Sequence, residues 1–486
     1  MQKDTRNIVL EFEWLGPLRR GRIAIKPLTI LIGPNGSGKS YSAMLLYAIN
    51  KALKDHLADI LGSMISLAIK MQSGELKDKN EYYRNLYESA KNSLEKRLKE
   101  NMVAIFTDLG SSINIDSDKL TANLRIDDHI SYGFTLKRDG GIVVDRYIDF
   151  EYFMGEVKKR GIDSMIDIVI GARSYESLLS STKETTDTLG KVSAIMGFFL
   201  FIGPAYLKNI FAPLEIVYLP ATRSGLLQAH RVITNALVSA APRLPLAGGQ
   251  KASITGVSAD FINTILYSGI LYELSKASGL AIDKGILEAV EFLEKRVLGG
   301  VIDIVEREDN IVELVYKDLR GNLTIPVVAA ASGVAELAPL ALYLKKYVIS
   351  PGTVLIFEEP EAHLHPKMQR EIARLIAMLV NSGVWVLITT HSDLILEEFN
   401  ILMRLSRMSE EERKKLGYEE YEYLDTNSVS AYLYKYDDNE KGYVAKELSI
   451  TEDEGIPQDE LTEVAFEMGE THAKITRMAE LGERAV

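Results

Sequence analysis

The octapeptide Gly33-Pro34-Asn35-Gly36-Ser37-Gly38-Lys39-Ser40 follows directly on the apolar run Leu28-Thr29-Ile30-Leu31-Ile32. A buried strand, a glycine-rich turn and a helix in that order form a phosphate loop of the Walker A type, which commits the chain to an α/β fold. Gly36 and Gly38 permit a backbone approach that a Cβ would block. Successive N–H groups then point inward, and the helix starting near Lys39 adds the positive end of its dipole. Lys39 is placed to reach the β- and γ-phosphates of a nucleoside triphosphate, and Ser40 supplies a hydroxyl for magnesium.

A second apolar run, Val354-Leu355-Ile356-Phe357, ends in Glu358-Glu359. An unbroken apolar strand is what a parallel strand buried on both faces requires, and the acidic pair at its end makes it a Walker B element. Glu358 is assigned to the metal and Glu359 to the base that orients and deprotonates the attacking water. A third run, Trp385 to Thr390, ends in His391-Ser392-Asp393. Open α/β sheets bind ligands beyond the carboxyl ends of their strands, so His391 is assigned to the γ-phosphate or the attacking water.

The chain has 486 residues, 47% of them hydrophobic and 26% charged, so it can bury a large core and is neither disordered nor collagen-like. Its length favours a nucleotide core with a large insertion over one compact unit. The absence of cysteine removes disulfides and thiolate chemistry. A net charge of −12 gives no overall attraction for nucleic acid. Arg19, Arg20, Arg22 and Lys26 cluster, and a solvated hairpin edge is the expectation for them. The start of the chain has no signal-peptide core, and the most apolar stretch, Val192 to Ile202, is too short for the roughly 20 residues of a membrane span. A cytoplasmic protein without membrane contact is expected.

Read in segments, residues 1–54 hold the strands of the head and the Walker A helix, and 55–212 read as an insertion. That insertion comprises a helical arm to about 101, a β-meander at 102–150 turning at Asp127-Asp128 and Asp139-Gly140-Gly141, and further helices. Residues 213–400 return to the head through the strand at 214–219, helices at 257–298, three short strands between 300 and 329, and the Walker B and His391 strands. A Pro/Gly-rich loop is expected at 240–256, and 401–486 form a tail packed on the head with a hairpin turning at Asp437-Asp438-Asn439.

The order of Walker A, Ala331-Ser332-Gly333-Val334-Ala335-Glu336, LIFEEPEAHLHP and TTHSD resembles the ABC-type ATPases, and within them the branch of RecF, SMC and OLD (overcoming lysogenization defect) ATPases. The resemblance implies an α/β P-loop NTPase head carrying the long helical and β-meander insertion, with ATP and Mg2+ as ligands. It also implies a head-to-head dimer in which Ser332 and Gly333 contact the γ-phosphate of a second copy. Glu358-Glu359-Pro360 matches the family's acidic pair and proline, Glu361 to His365 its D-loop, and His391 its switch histidine. Two departures stand out. Glu358 occupies a position that is Asp in most ABC proteins, which favours an OLD-like branch over a transporter, and ASGVAE is a degenerate signature. Leu246-Ala247-Gly248-Gly249-Gln250 is closer as a string but lies far from the Walker B strand and lacks the serine.

Further candidates are Arg223, for phosphate or for coupling to the insertion against an ordinary strand-end arginine, and Trp14 and Tyr41, for adenine stacking against simple packing. Glu361, His363 and His365 have metal-ligand types, although D-loop contacts explain them as well. About 85 residues follow Asn400, too few for the Toprim nuclease domain of OLD nucleases. The expectation is a stand-alone ATPase without nuclease activity, acting in DNA repair or in defence against mobile elements. The other reading is a nucleotide switch that controls a separate nuclease or effector.

Overall fold

The computed structural model describes residues 7–106, 112–114, 116–159, 207–208, 210–211, 213–229, 255–277, 282–306, 312–321, 323–458 and 470–478. The apolar stretch 192–202, the string 246–250 and nearly all of the expected loop at 240–256 lie outside them. Strands β1 (Ile8–Glu13), β2 (Leu18–Ile25) and β3 (Leu28–Ile32) lead into helix α1 (Lys39–Gln72). After α2 (Lys79–Phe106) come β4 (Lys119–Ile126), β5 (Ile130–Lys137), β6 (Ile142–Arg146) and α3 (Phe150–Lys159).

Strand β7 (Glu215–Leu219), helices α4 (Gly256–Ala277) and α5 (Lys284–Phe292), and a π-helical turn at Leu293–Leu298 precede β8 (Gly300–Glu306), β9 (Val312–Asp318) and β10 (Thr324–Pro326). Then follow α6 (Ser332–Lys345), β11 (Thr353–Glu358), α7 (Pro366–Asn381), β12 (Trp385–Thr390), α8 (Asp393–Leu405), α9 (Glu410–Lys415), β13 (Val429–Asp437) and β14 (Gly442–Glu447).

Eleven of these strands form one mixed sheet in the order β6-β5-β4-β1-β2-β14-β13-β3-β12-β11-β7, while β8 to β10 form a separate antiparallel sheet. The five strands β13, β3, β12, β11 and β7 run parallel, so their carboxyl ends meet on one side. Side-chain alternation splits them between two apolar layers. Leu28, Ile30, Leu355, Phe357, Val386 and Ile388 face α6, α7 and α8. Leu31, Val354, Ile356, Trp385, Leu387 and Tyr432 face α1 and the layer beyond it.

The tail does more than pack on the head. Its hairpin β13/β14 lies inside the sheet, with β13 parallel to the phosphate-loop strand β3 and β14 parallel to β2. The meander is likewise an extension of the head sheet, because β4 pairs along the whole of β1. Arg20 and Arg22 are exposed, as a solvated edge requires, but Arg19 departs from that reading of the basic cluster. With β2 paired on both sides, Arg19 is buried, bonded to Asn114 Oδ1 (2.9 Å), Asp116 and the carbonyl of Lys441.

Helix α1 carries residues 54 and 55 without a break and runs on as one limb of a hairpin with α2. At about 1.5 Å per residue its 34 residues span roughly 50 Å. Ser73 and Gly74 (φ 81°) end it, and Asp78 Oδ1 accepts the Glu81 N–H to start α2. Tyr82, Leu86, Ala90, Leu94, Leu98, Met102 and Ile105 recur every three or four residues on α2 and are buried, with Ile60 and Met64 of α1 in the same apolar layer.

Candidate active site

The loop between β3 and α1 is shaped by glycines that cannot be replaced. Gly33 (φ 148°) would place a Cβ 2.5 Å from the Tyr434 carbonyl, and Gly38 (φ 102°) would place one 2.6 Å from Leu18 Cγ. Strands β13 and β2 therefore press the loop from outside, and only a residue without Cβ fits. Pro34, Asn35 and Gly36 are exposed at the tip, whereas Ser37 and Lys39 are buried and Ser40 and Tyr41 are partly so. Lys39 Nζ donates to the carbonyls of Gly33 (2.7 Å) and Pro34 (2.9 Å). Burial lowers its pKa to about 8, opposed by the carboxylates of Glu359, Glu361 and Glu358.

Those carboxylates are delivered by the neighbouring strands. Parallel register sets Thr390 beside Ile32 and Glu358 beside Thr389, so three strand ends meet at the loop. Glu358 is buried; its Oε2 accepts the Ala221 N–H (3.1 Å), the buried Tyr218 hydroxyl lies against the same carboxylate, and Oε1 completes no hydrogen bond of full geometry. Burying an under-satisfied carboxylate oxygen is costly, and a hydrated cation is the chemistry that satisfies it. Glu359 turns away from the strand at φ 42°, a strained conformation for a residue with a side chain. Its N–H donates to the Thr389 carbonyl (2.9 Å), and its Oε1 lies 3.9 Å from His391 Nε2. Partial burial and then Lys39 depress the His391 pKa, against the pull of Glu359, so the ring is neutral at neutral pH.

Glu361 supports this arrangement in a way its residue type did not reveal. Its Oε1 accepts both the His391 N–H (2.7 Å) and the Thr390 hydroxyl (2.8 Å), tying the end of β12 to the Walker B turn. Burial raises its pKa, with those hydrogen bonds acting in the opposite direction. The grouping of Glu361, His363 and His365 as a metal centre does not form: no set of three or more metal-ligating side chains is gathered among the described residues. His365 instead caps α7, its Nδ1 accepting the Lys367 N–H, and His363 faces Glu336.

The sequence leaves Arg223 open between phosphate, coupling to the insertion and a surface strand-end arginine, and it does not lie on the surface. It is fully buried, and its guanidinium donates to the carbonyls of Pro220, Glu336, Glu358 and Glu359, which leaves it turned into the protein. Ser332 opens α6 at an exposed position, with Gly333 beside it against Leu364. Neither joins the loop of its own chain among the contacts observed. Tyr41 packs on Phe106 (5.5 Å between centroids) and lines a cleft of about 520 Å³ with Gly16, Arg19, Asn114, Arg138 and Tyr443. Trp14 lies beneath the Arg19 guanidinium. Among the described residues no helix is long and apolar enough to cross a membrane.

Residues 265–397 match the family model described as "AAA domain, putative AbiEii toxin, Type IV TA system". The matched segment holds α6, β11 and β12 and excludes the phosphate loop. No curated protein matches the chain. Among solved structures the chain is similar to an Smc head domain with an extended coiled coil, bound to the C-terminal domain of ScpA, from Pyrococcus furiosus; identity is 13%, over 96% of this chain and 100% of that one, with a TM-score of 0.39. It is similar also to an Smc head domain with a coiled coil and joint from Pyrococcus yayanosii, at 13% identity over 95% and 100% of the two chains and a TM-score of 0.40. The SMC head domain from Thermotoga maritima is 11% identical over 92% and 99%, with a TM-score of 0.35.

Proposed function

We propose that this chain binds ATP with Mg2+ at residues 33–40 and hydrolyses it, and that ATP draws two copies head to head. The observation that carries this is the meeting of Lys39, Glu358, Glu359 and His391 at the ends of three adjacent parallel strands. Lys39 and the loop N–H groups hold the phosphates. Ser40 and the Glu358 carboxylate, whose Oε1 completes no hydrogen bond of full geometry, would hold Mg2+, which when bound neutralises charge on the phosphates. Glu359 takes the proton of the attacking water, and neutral His391 orients that water or the γ-phosphate. Ser332 and Gly333, at an exposed helix N-terminus, serve the site of the second copy.

The output in this reading is mechanical or regulatory. The α1/α2 hairpin starts at the phosphate loop, so a change at the nucleotide is passed to a partner or to DNA, in repair or in defence against mobile elements, in an OLD-like protein. A second reading is favoured by the description of the matching family model, which names a toxin–antitoxin system. In it the ATP state recruits or restrains a separate effector, a nuclease or toxin, and slow hydrolysis resets the switch.

The test is the mass in solution of Glu359→Gln with MgATP. A dimer that persists while wild type returns to monomer is expected, with turnover reduced about 100- to 10,000-fold. A monomeric variant with wild-type turnover removes both the base and the dimer. Turnover stimulated by DNA ends favours the first reading, and ATP-dependent capture of an effector without stimulation favours the second.

A further inference from the structure

The fully buried charge of Arg223 is not explained by catalysis, and burying an ion pair is seldom the cheapest way to stabilise a fold. Its contacts show what it joins. Nη1 donates to the carbonyls of Pro220 (3.1 Å) and Glu358 (2.8 Å), Nη2 to that of Glu359 (3.1 Å), and Nε to that of Glu336 (3.0 Å). Glu336 Oε2 lies 3.1 Å from Nε, completing the ion pair, and Phe357 lies under the guanidinium. Glu336 is one turn along α6 from Ser332 and is itself fully enclosed. Its Oε1 accepts the Ser224 hydroxyl and lies 3.8 Å from His363 Nε2, in the loop that follows the Walker B turn.

The Walker B turn, that following loop and the first turn of α6 therefore share one rigid connection. The connection also holds a strained residue: Glu359 keeps φ 42° with its N–H fixed by Thr389 and its carbonyl fixed by Arg223. Arginine alone has the planar fork to reach several acceptors at once, which a lysine ammonium does not. We infer that Arg223, through Glu336, is a positioning residue that couples the hydrolytic turn of its own nucleotide site to the α6 N-terminus lent to a second copy. This rests on the ATP-driven dimer proposed above. It predicts that the two composite sites fire cooperatively, because a shift of Glu359 in one shifts the Ser332 end that completes the other.

Two variants test it: Arg223→Lys, which keeps the charge and loses the fork, and Glu336→Gln, which keeps the shape and loses the ion pair. Both are expected to bind MgADP within about 2-fold of wild type, since the phosphate loop is untouched. Arg223→Lys is expected to lower kcat about 100-fold, the cost of a misplacement on the order of 1 Å, and to bring the Hill coefficient for ATP to 1. Amide exchange supplies a readout independent of turnover. In dilute monomer, MgADP is expected to slow exchange at residues 332–336 of wild type and not of either variant.

Loss of MgADP affinity in parallel with kcat, or an exchange response that survives in both variants, overturns the coupling. If wild type binds MgADP yet neither hydrolyses ATP nor dimerises, the functional reading fails while the exchange comparison still decides the connection. If wild type binds no nucleotide, both fall. Should Arg223→Lys not fold, Glu336→Gln carries the same comparison alone.

Discussion

The two ends of α1 are built on opposite principles. At its first turn the chain presents backbone N–H groups and a buried ammonium, framed by glycines that neighbouring strands leave no room to enlarge. In its distal half the backbone is ordinary helix and side chains do the holding. Ile60, Met64, Leu94 and Leu98 share one apolar layer, and Asp59 clasps Arg97 through two bonds of 2.7 Å. Between them, His56 is enclosed by Ser93, Tyr147 and Phe211. Packing is dense at both ends, with Ala43, Leu45 and Leu46 fully buried behind the loop; what differs is that the first turn presents backbone donors and a charge, and the distal half apolar side chains. One helix thus joins a region sensitive in function to a region sensitive in folding.

Substitutions can separate the two. The largest effect is expected from Lys39→Ala, which should weaken nucleotide binding by about 100- to 1,000-fold, the worth of lost charge-assisted bonds to phosphate, with the melting temperature nearly kept. Titration calorimetry checks it, and wild-type affinity should also fall as pH rises through about 8, where free Lys39 loses its proton. Preserved affinity in the variant would remove the site assignment. Leu94→Ala should do the reverse, costing about 2–5 kcal/mol in denaturant unfolding while nucleotide affinity stays put.

A smaller effect comes from pH at the base of the arm. Burial pushes the His56 pKa down to about 3, with Asp59 opposing, so acid protonates the unfolded chain before the folded one. Between pH 6.5 and 3 stability is therefore lost as pH falls, by about 2 kcal/mol from pH 7 to 5. His56→Gln should flatten that slope in pH-dependent unfolding; an unchanged slope assigns it to other groups. The smallest change is expected from Asp59→Asn, about 1 kcal/mol for a pair still touched by solvent, with ATP turnover unaltered.

The phosphate loop, the Walker B strand and the His391 strand were legible because each is a contiguous segment whose apolar run and turn chemistry fix its local form. The turns at Asp127-Asp128, Asp139-Gly140-Gly141 and Asp437-Asp438-Asn439 were legible for the same reason. The inward turn of Glu361 was hidden among residues of metal-ligand type, and only Thr390, immediately before His391, hinted at a hydroxyl that would hold it. Arg223 was ambiguous because a strand-end arginine faces solvent, phosphate or core according to what lies beneath it.

By itself, then, the sequence determined the α/β class and the local form of the glycine-rich loop and of the strands ending in Glu358-Glu359 and His391, since backbone geometry and side-chain period are set within a few residues. Tertiary structure alone decided that β13 lies beside β3, a pairing of Ala431 with Ile30 across some four hundred residues, and that β14 completes β2. It alone decided that Arg223 reaches Glu336 and both Walker B carbonyls. Such contacts depend on which surfaces meet when the whole core is buried, and no local pattern records that choice.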